Sequence, residues 1–549
     1  MTMPVPMPPS RPPAAAAATA LLALALAAGA ACAQAQAQAQ AQTAAAVAVA
    51  VGAGQTMRIQ INSDIRSTDP GGNRDDNTDN VLTHVVEGLV ALREDTSAGP
   101  MLASKIDTSA DGLTYTFTLR DGVKFQNGAV LTADDVVWSW QRYLKPTSGW
   151  RCLPEFDGKG MTKLLSVEAA NPKTVVFKLD RPSGLFLTMM ARPDCGSAAI
   201  IHRSSVGADG QWKEPVGTGP YKLKDWKRGQ YVELTRFDGY TSRSEPRDGL
   251  TGGKKAEIEN LRFVVIPDSA AAKAALYSGG IDAFISPSPS DVIEMRKRSD
   301  VIVDTTPVMT MVALLLQTND PLLKDVRIRR ALALALDTPE VAKSVTEGLS
   351  AVNNSAVPSS SPYYSAVQAG GFKRDIPAAK KLLAEAGYRG QPIKLMANKR
   401  YEALYSAAVL VQAMASEAGI NVELEVLDWA TQLDRYTKGQ YQSMAFVYSA
   451  RIDPSLNYEM VSGDKAAQPR KVWDSAYAQT RLAESMVSRD KARRQVLFDE
   501  MHRQMLQDVP MIVLFNASDA TAMRKSVVGF KGWAPAKPRF WNVRLDARS

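Results

Sequence analysis

Between Pro392 and Ser449 the apolar pattern switches period four times, and no other stretch restricts the fold as much. "PIKLMAN" (Pro392–Asn398) reads as a strand and Glu402–Glu417 as a helix closed by Gly419. "NVELEVLD" (Asn421–Asp428) is a second strand, Trp429–Lys438 a second helix, and "YQSMAFVYS" (Tyr441–Ser449) a third strand. Strand–helix–strand–helix–strand order calls for right-handed crossovers and a parallel or mixed sheet, so the fold class is α/β. On such sheets ligands bind in crevices beyond the carboxyl ends of strands. The loop "ARIDPSLNY" (Ala450–Tyr458) follows the third strand and is expected at such a crevice.

A second well-specified stretch runs from Leu113 to Trp140. Tyr115, Phe117 and Leu119 share one strand face and Thr114, Thr116 and Thr118 the other. Asp121-Gly122 predicts a two-residue hairpin turn, with Val123 and Phe125 on the returning strand. Thr132 is placed to cap a helix, with Asp135 completing the capping box, Val136, Trp140, Tyr143 and Leu144 as its buried stripe, and Pro146 as its end. Asp134 and Asp135 read as helix-start acids rather than a catalytic pair. Nearer the amino terminus, Met57, Ile59 and Ile61 alternate as a strand, and Val81, Val85 and Leu89 form a helical stripe near 80–92.

With 549 residues the chain exceeds one core. Its net charge of +8 is spread without a basic block, so neither nucleic acid nor a membrane surface is implied as partner. "RPPAAAAATALLALALAAGAACAQAQ" (Arg11–Gln36) has the order of a secretory signal, with Ala31-Cys32-Ala33 as its cleavage site. Lipid attachment at Cys32 is the competing reading, weakened by Gly29 three positions before it. An Ala-Gln and Ala/Val spacer follows. An exported chain is expected in the periplasm. Cys152 and Cys195 remain there as a pair, for which a disulfide is the default and two buried thiols the alternative.

Catalytic signatures are scarce. His84, His202 and His502 are isolated, and the H-x-x-E formed by His84 and Glu87 lacks the second histidine of a zinc helix. There is no G-x-S-x-G elbow and no G-x-G-x-x-G after a strand. "DGLTGGKKA" lacks the first Gly and last Ser/Thr of a phosphate loop, and "GTGPYKL" reads as a turn entering a strand. No metal and no cofactor is expected. Trp150, Trp429 and Tyr448 stand at or beside element ends, where an aromatic faces a cleft; core packing is the competing reading for each.

These motifs resemble, in order from about Met57 to the carboxyl terminus, the peptide-type (family 5) solute-binding proteins of bacterial ABC importers. The resemblance rests on "LTYTFTLRDGVKFQNGAVLTADDVVWSWQRYLKPTS", "VGTGPYKLKDWKRGQYVELTRFDGY", "ALYSGGIDAF", "LLLQTNDPLLKDVRIRRALALALD", "AAKKLLAEAGY" and "DVPMIVLF". It implies a two-lobed periplasmic-binding-protein fold of type II, with an extra subdomain in lobe I. The implied division is signal peptide 1–33, spacer 34–54, lobe I at 55–92, extra subdomain 93–212, lobe I again 213–307, lobe II 308–508, and a return to lobe I at 509–549. Hinge crossings are expected near Thr305–Thr310 and Val509–Leu514. The implied role is that of a monomer capturing a peptide or other small solute and delivering it to a membrane permease. An exported α/β hydrolase and a ligand sensor on the same scaffold are the alternatives.

The resemblance assigns ligand contacts to Trp429, Tyr448 and Trp150, and to the first-strand loop Asp64, Ile65 and Arg66. It also exposes a departure. Where peptide binders of the family carry an Asp that pairs with the ligand's α-amine, this chain has Ala450, followed by Arg451. Asp453, directly before Pro454, reads as part of a structural turn.

Overall fold

A computed structural model describes residues 55–546. The signal peptide, Cys32 and the spacer lie outside the described residues.

The frame is one ten-stranded sheet. Its strands are β1 (Thr56–Ile61), β7 (Tyr221–Lys227), β8 (Tyr231–Arg236), β9 (Asn260–Val265), β10 (Ala283–Ile285), β11 (Val301–Leu316), β12 (Ile393–Ala397), β13 (Val422–Val426), β14 (Ser443–Tyr448) and β15 (Met511–Arg524). They lie in the order β13-β12-β14-β11-β15-β10-β1-β9-β8-β7. β12 is parallel to β13 and β14, and β1 to β9 and β10, while β11 and β15 are antiparallel. β11 and β15 are long because each belongs to both lobes. Their pairing is interrupted between Pro307↔Ser518 and Met311↔Asn516, which marks where both strands pass from lobe to lobe. Residues 308–310 have no ladder partner in β15 there, and Met511–Phe515 pairs with Val312–Leu315.

Lobe II follows the sequence pattern closely. The helices Glu402–Glu417 and Trp429–Lys438 begin and end where the periodicity places them. Asp428 caps the second by accepting from the Thr431 amide at 3.0 Å. Gly439 closes it at φ 67°, a left-handed conformation that costs glycine little. Strand alternation in β14 then fixes two cores. Ala445 faces a cluster with Leu314, Leu395 and Val411, whereas Met444, Phe446 and Tyr448 face one with Tyr436 and Tyr458.

A smaller antiparallel sheet is built from β3 (Ala103–Thr108), β4 (Thr114–Leu119), β5 (Leu164–Asn171) and β6 (Thr174–Leu179), in the order β3-β4-β6-β5. Because β4 is paired on both edges, Val123 and Phe125 cannot return beside it; they are buried in a loop closed by the single bridge Lys124↔Val130. Helix α2 (Ala133–Tyr143) packs over this sheet, and the Asp135 carboxylate accepts from the Thr132 amide at 3.0 Å and its hydroxyl at 2.8 Å. Trp140, Trp150, Phe156 and Phe177 fill the core, and Cys152 is bonded to Cys195 with their Cα atoms 5.6 Å apart.

The helix expected near 80–92 is instead α1 (Asp76–Leu82), followed by turns and the strand β2 (Val90–Leu92). β2 pairs with Ala98–Pro100, and at Gly88 an added Cβ would stand 2.2 Å from the Ser197 carbonyl. Pairing with a distant segment overrides the local helical period here.

Candidate functional site

A cavity of about 600 Å³ lies between the lobes, at the carboxyl ends of β1 and β14. Lobe I contributes Asn62 and Ser63 directly after β1, and Asp75, Asp76, Asn77 and Asn80 at the start of α1. The small-sheet subdomain adds Arg151 and Asp194, and the chain near its carboxyl end adds Lys537. Lobe II contributes the loop Ser449–Ile452, and Thr310 supplies the floor where β11 changes lobe.

Packing explains why the Ser449–Ile452 loop sits where it does. Asp453 accepts from the Ser455 amide at 2.9 Å, starting the helix Pro454–Val461, and pairs with the buried Arg494 at 2.6 Å. It is therefore a structural residue, as the Asp-Pro pattern suggested. Ile452 and Leu456 then rest on the hydrophobic core of the small-sheet subdomain. The lobes also meet at the rim, where the Gly184 amide donates to the Met486 carbonyl at 2.8 Å and Arg489 reaches the Ala110 carbonyl at 3.3 Å. A Cβ on Gly184 would lie 2.2 Å from the Ser488 carbonyl, so that approach requires glycine.

Each cleft carboxylate already has partners. Asp75 caps α1, accepting from the Thr78 amide at 2.9 Å and hydroxyl at 2.8 Å, and pairs with Arg66 at 3.2 Å. Asp76 takes the Lys537 ammonium at 2.8 Å, and that charge holds its carboxyl below the usual range. Asp194 is gripped on both oxygens by Arg192, at 3.0 and 2.6 Å, with Arg151 at 3.8 Å. Burial would raise its pKa, but the hydrogen bonds and charge of Arg192, helped by Arg151 and Arg74, hold it at about 2.

Arg451 differs. Its Nη1 donates to the Ser449 hydroxyl at 2.8 Å and to the Ser449 and Ala450 carbonyls at 3.3 Å, and it pairs with no carboxylate among the described residues. Burial, then the nearby charge of Arg192, lowers its pKa, with Asp194 opposing. Gln60 and Asn80 also line the cavity, although their amide oxygens, Gln60 Oε1 and Asn80 Oδ1, are buried without a hydrogen-bond partner in the protein.

Of the eight expected contacts, the cavity lining contains Ala450 and Arg451. Trp150 is corrected to a core residue: 2% exposed, its indole N–H donates to the Cys195 carbonyl at 2.9 Å and its ring stacks 5.3 Å from Phe156. Tyr448 is likewise core. Alternation in β14 turns it inward onto Phe446, with its hydroxyl 3.4 Å from that of Tyr436. Trp429 is half-buried against Phe446 and Tyr401, outside the lining. The Asp64 carboxylate accepts from the Trp226 indole and the Gly229 amide, each at 2.9 Å, Ile65 is buried, and Arg66 turns to Asp75. After the first strand it is Asn62 and Ser63, directly beyond Ile61, that line the cavity, rather than Asp64–Arg66. Arg151, Asp194 and Lys537 carried no local signal, because only the fold brings them together.

His84 and Glu87 are buried scaffold residues. His84 Nδ1 donates to the Asn80 carbonyl at 2.9 Å, and its Nε2 accepts from the Phe540 amide at 3.0 Å. No helix among the described residues is long and apolar enough to cross a membrane.

The profile described as "Bacterial extracellular solute-binding proteins, family 5 Middle" matches residues 98–468. Oligopeptide-binding protein OppA of Bacillus subtilis is 24% identical over 503 residues, covering 86% of this chain and 90% of that protein. The dipeptide-binding protein of Escherichia coli is 26% identical over 480 residues, covering 81% of this chain and 86% of the relative. Among solved structures, HbpA2 from Haemophilus parasuis superposes with a TM-score of 0.79 at 24% identity, over 90% of this chain and all of that one. With the two-lobed sheet, the cleft at its strand ends and the profile match in agreement, the chain belongs to the family 5 bacterial extracellular solute-binding proteins.

Proposed function

We propose that this protein is the periplasmic capture component of an ABC importer, enclosing a peptide or peptide-like solute between its lobes and delivering it to a membrane permease. One observation carries the reading beyond the family. The interlobe cavity is lined by the amide and hydroxyl side chains of Asn62, Ser63 and Asn77, directly after β1 and at the start of α1. Such groups both donate and accept hydrogen bonds, which suits an occupant that alternates N–H donors and C=O acceptors, as a peptide backbone does. The relatives named as oligopeptide- and dipeptide-binding proteins agree with this chemistry. The reading involves no catalytic step, and the ligand is held by hydrogen bonds and exclusion of water.

A thermal-shift screen of di- to tetrapeptides, glutathione-like thiols, acylated amino acids and opines tests it. A captured solute raises the melting temperature because it binds the folded state alone. It also narrows the scattering profile as the lobes close on it. A peptide-like panel that leaves both readouts unchanged at millimolar concentration would remove the proposal.

A further inference from the structure

We infer that the Arg151–Arg451 end of the cleft is a subsite for an anionic group, so that the solute presents a carboxylate there rather than a free ammonium. The inference rests on the peptide-like reading above and narrows it.

An ammonium entering this end meets Asp194, which already accepts two hydrogen bonds from Arg192 and lies 3.8 Å from Arg151. Asp76 is neutralised by Lys537, and Asp75 is committed to the cap of α1 and to Arg66. Ala450 offers a methyl group. At this end Asp194 is already held by Arg192 on both oxygens, and the guanidiniums of Arg151 and Arg451 oppose an added positive charge.

A carboxylate meets the reverse situation. Arg451 has five N–H donors, and among the described residues only its Nη1 is hydrogen-bonded, always to neutral oxygens of its own loop. Its Nε and Nη2 are left for a planar anion, the geometry in which guanidinium binds carboxylate most strongly. Arg151, from the small-sheet subdomain, lines the same cavity with its side chain 58% exposed, so it is available to the same anion as Arg451 of lobe II. That arrangement ties recognition to closure: the anion contributes fully when the two arginines are brought together.

Calorimetry on the full chain with three probes tests the inference: trialanine, its N-acetyl form and its N-succinyl form, which replaces the terminal ammonium by a carboxylate. The succinyl form is expected to bind at least about tenfold more tightly than trialanine. In Arg451→Gln that ratio falls to within about twofold, and Ala450→Asp turns the preference toward the free amine. Tightest binding by trialanine, or a succinyl form no tighter than the acetyl form, overturns the subsite. If none of the three probes binds, the peptide-like reading fails, and a second measurement still judges the subsite. Succinate alone, at constant ionic strength, is expected to raise the melting temperature of the natural chain and not of Arg451→Gln. Equal shifts in both proteins overturn it.

Discussion

Two of the places where this molecule holds charge away from bulk water are built in opposite ways. Under lobe I, Glu87 accepts from Lys254 at 2.7 Å, Tyr240 at 2.9 Å and Thr218 at 3.1 Å. The Lys254 and Glu87 side chains are only 2% and 1% exposed, and the Lys254 ammonium also lies 4.9 Å from the Trp541 ring centre. At the cleft, Arg451 touches only its own loop. A buried charge held by its counter-charge holds segments distant in sequence in one arrangement. A charge left short of an opposite partner at the mouth of a cavity contributes little to folding and is available to a ligand.

The largest expected effect breaks the first kind of site. Glu87→Ala leaves the Lys254 ammonium buried without its counter-charge, and urea unfolding is expected to show a loss of about 3–5 kcal/mol. A loss below about 1 kcal/mol would mean that Lys254 finds water when released. Tyr448→Ala comes next. As a core residue it costs about 3 kcal/mol of stability, whereas a cleft residue would lower ligand affinity and leave unfolding unchanged.

Acid sharpens the comparison further, because His84 packs beside the Glu87–Lys254 pair. Burial is the main cause that takes its pKa from 6.5 down to about 3. The folded protein thus prefers the neutral ring. The stability this supplies is present above pH 6.5 and is lost as pH falls toward 3, by at most about 1.4 kcal/mol per pH unit. Unfolding midpoints measured between pH 7 and pH 4 check the slope. The smallest effect is the counterpart of the first: Arg451→Ala is expected to change stability by less than about 0.5 kcal/mol. A larger loss would show that Arg451 belongs to the scaffold after all.

Legibility from sequence divides along the same line. Lobe II was readable almost residue by residue, because its strands and helices alternate in period and carry local stops such as Gly419 and Gly439. The 80–92 segment was misread because the pairing of β2 with Ala98–Pro100 was invisible in its own periodicity. Within the site, the strand-then-loop pattern placed the loop that carries Ala450 and Arg451, and the family resemblance singled out those two residues in it. Trp150 and Tyr448 could not be told from core by type alone: an aromatic at an element end faces a cleft or a core according to what packs on it.

The sequence by itself determined the α/β class, the helix and strand limits of lobe II, the capped helix after Thr132 and the loop on which Arg451 stands. These follow from hydrophobic period, turn chemistry and capping, which act over a few residues. Only the tertiary structure decided that Arg451 of lobe II lines one cavity with Arg151 and Asp194 of the small-sheet subdomain, and with Asp76 and Lys537. Charges interact through space, and residues as far apart in the chain as Asp76 and Lys537 become neighbours once the chain has crossed twice between its lobes.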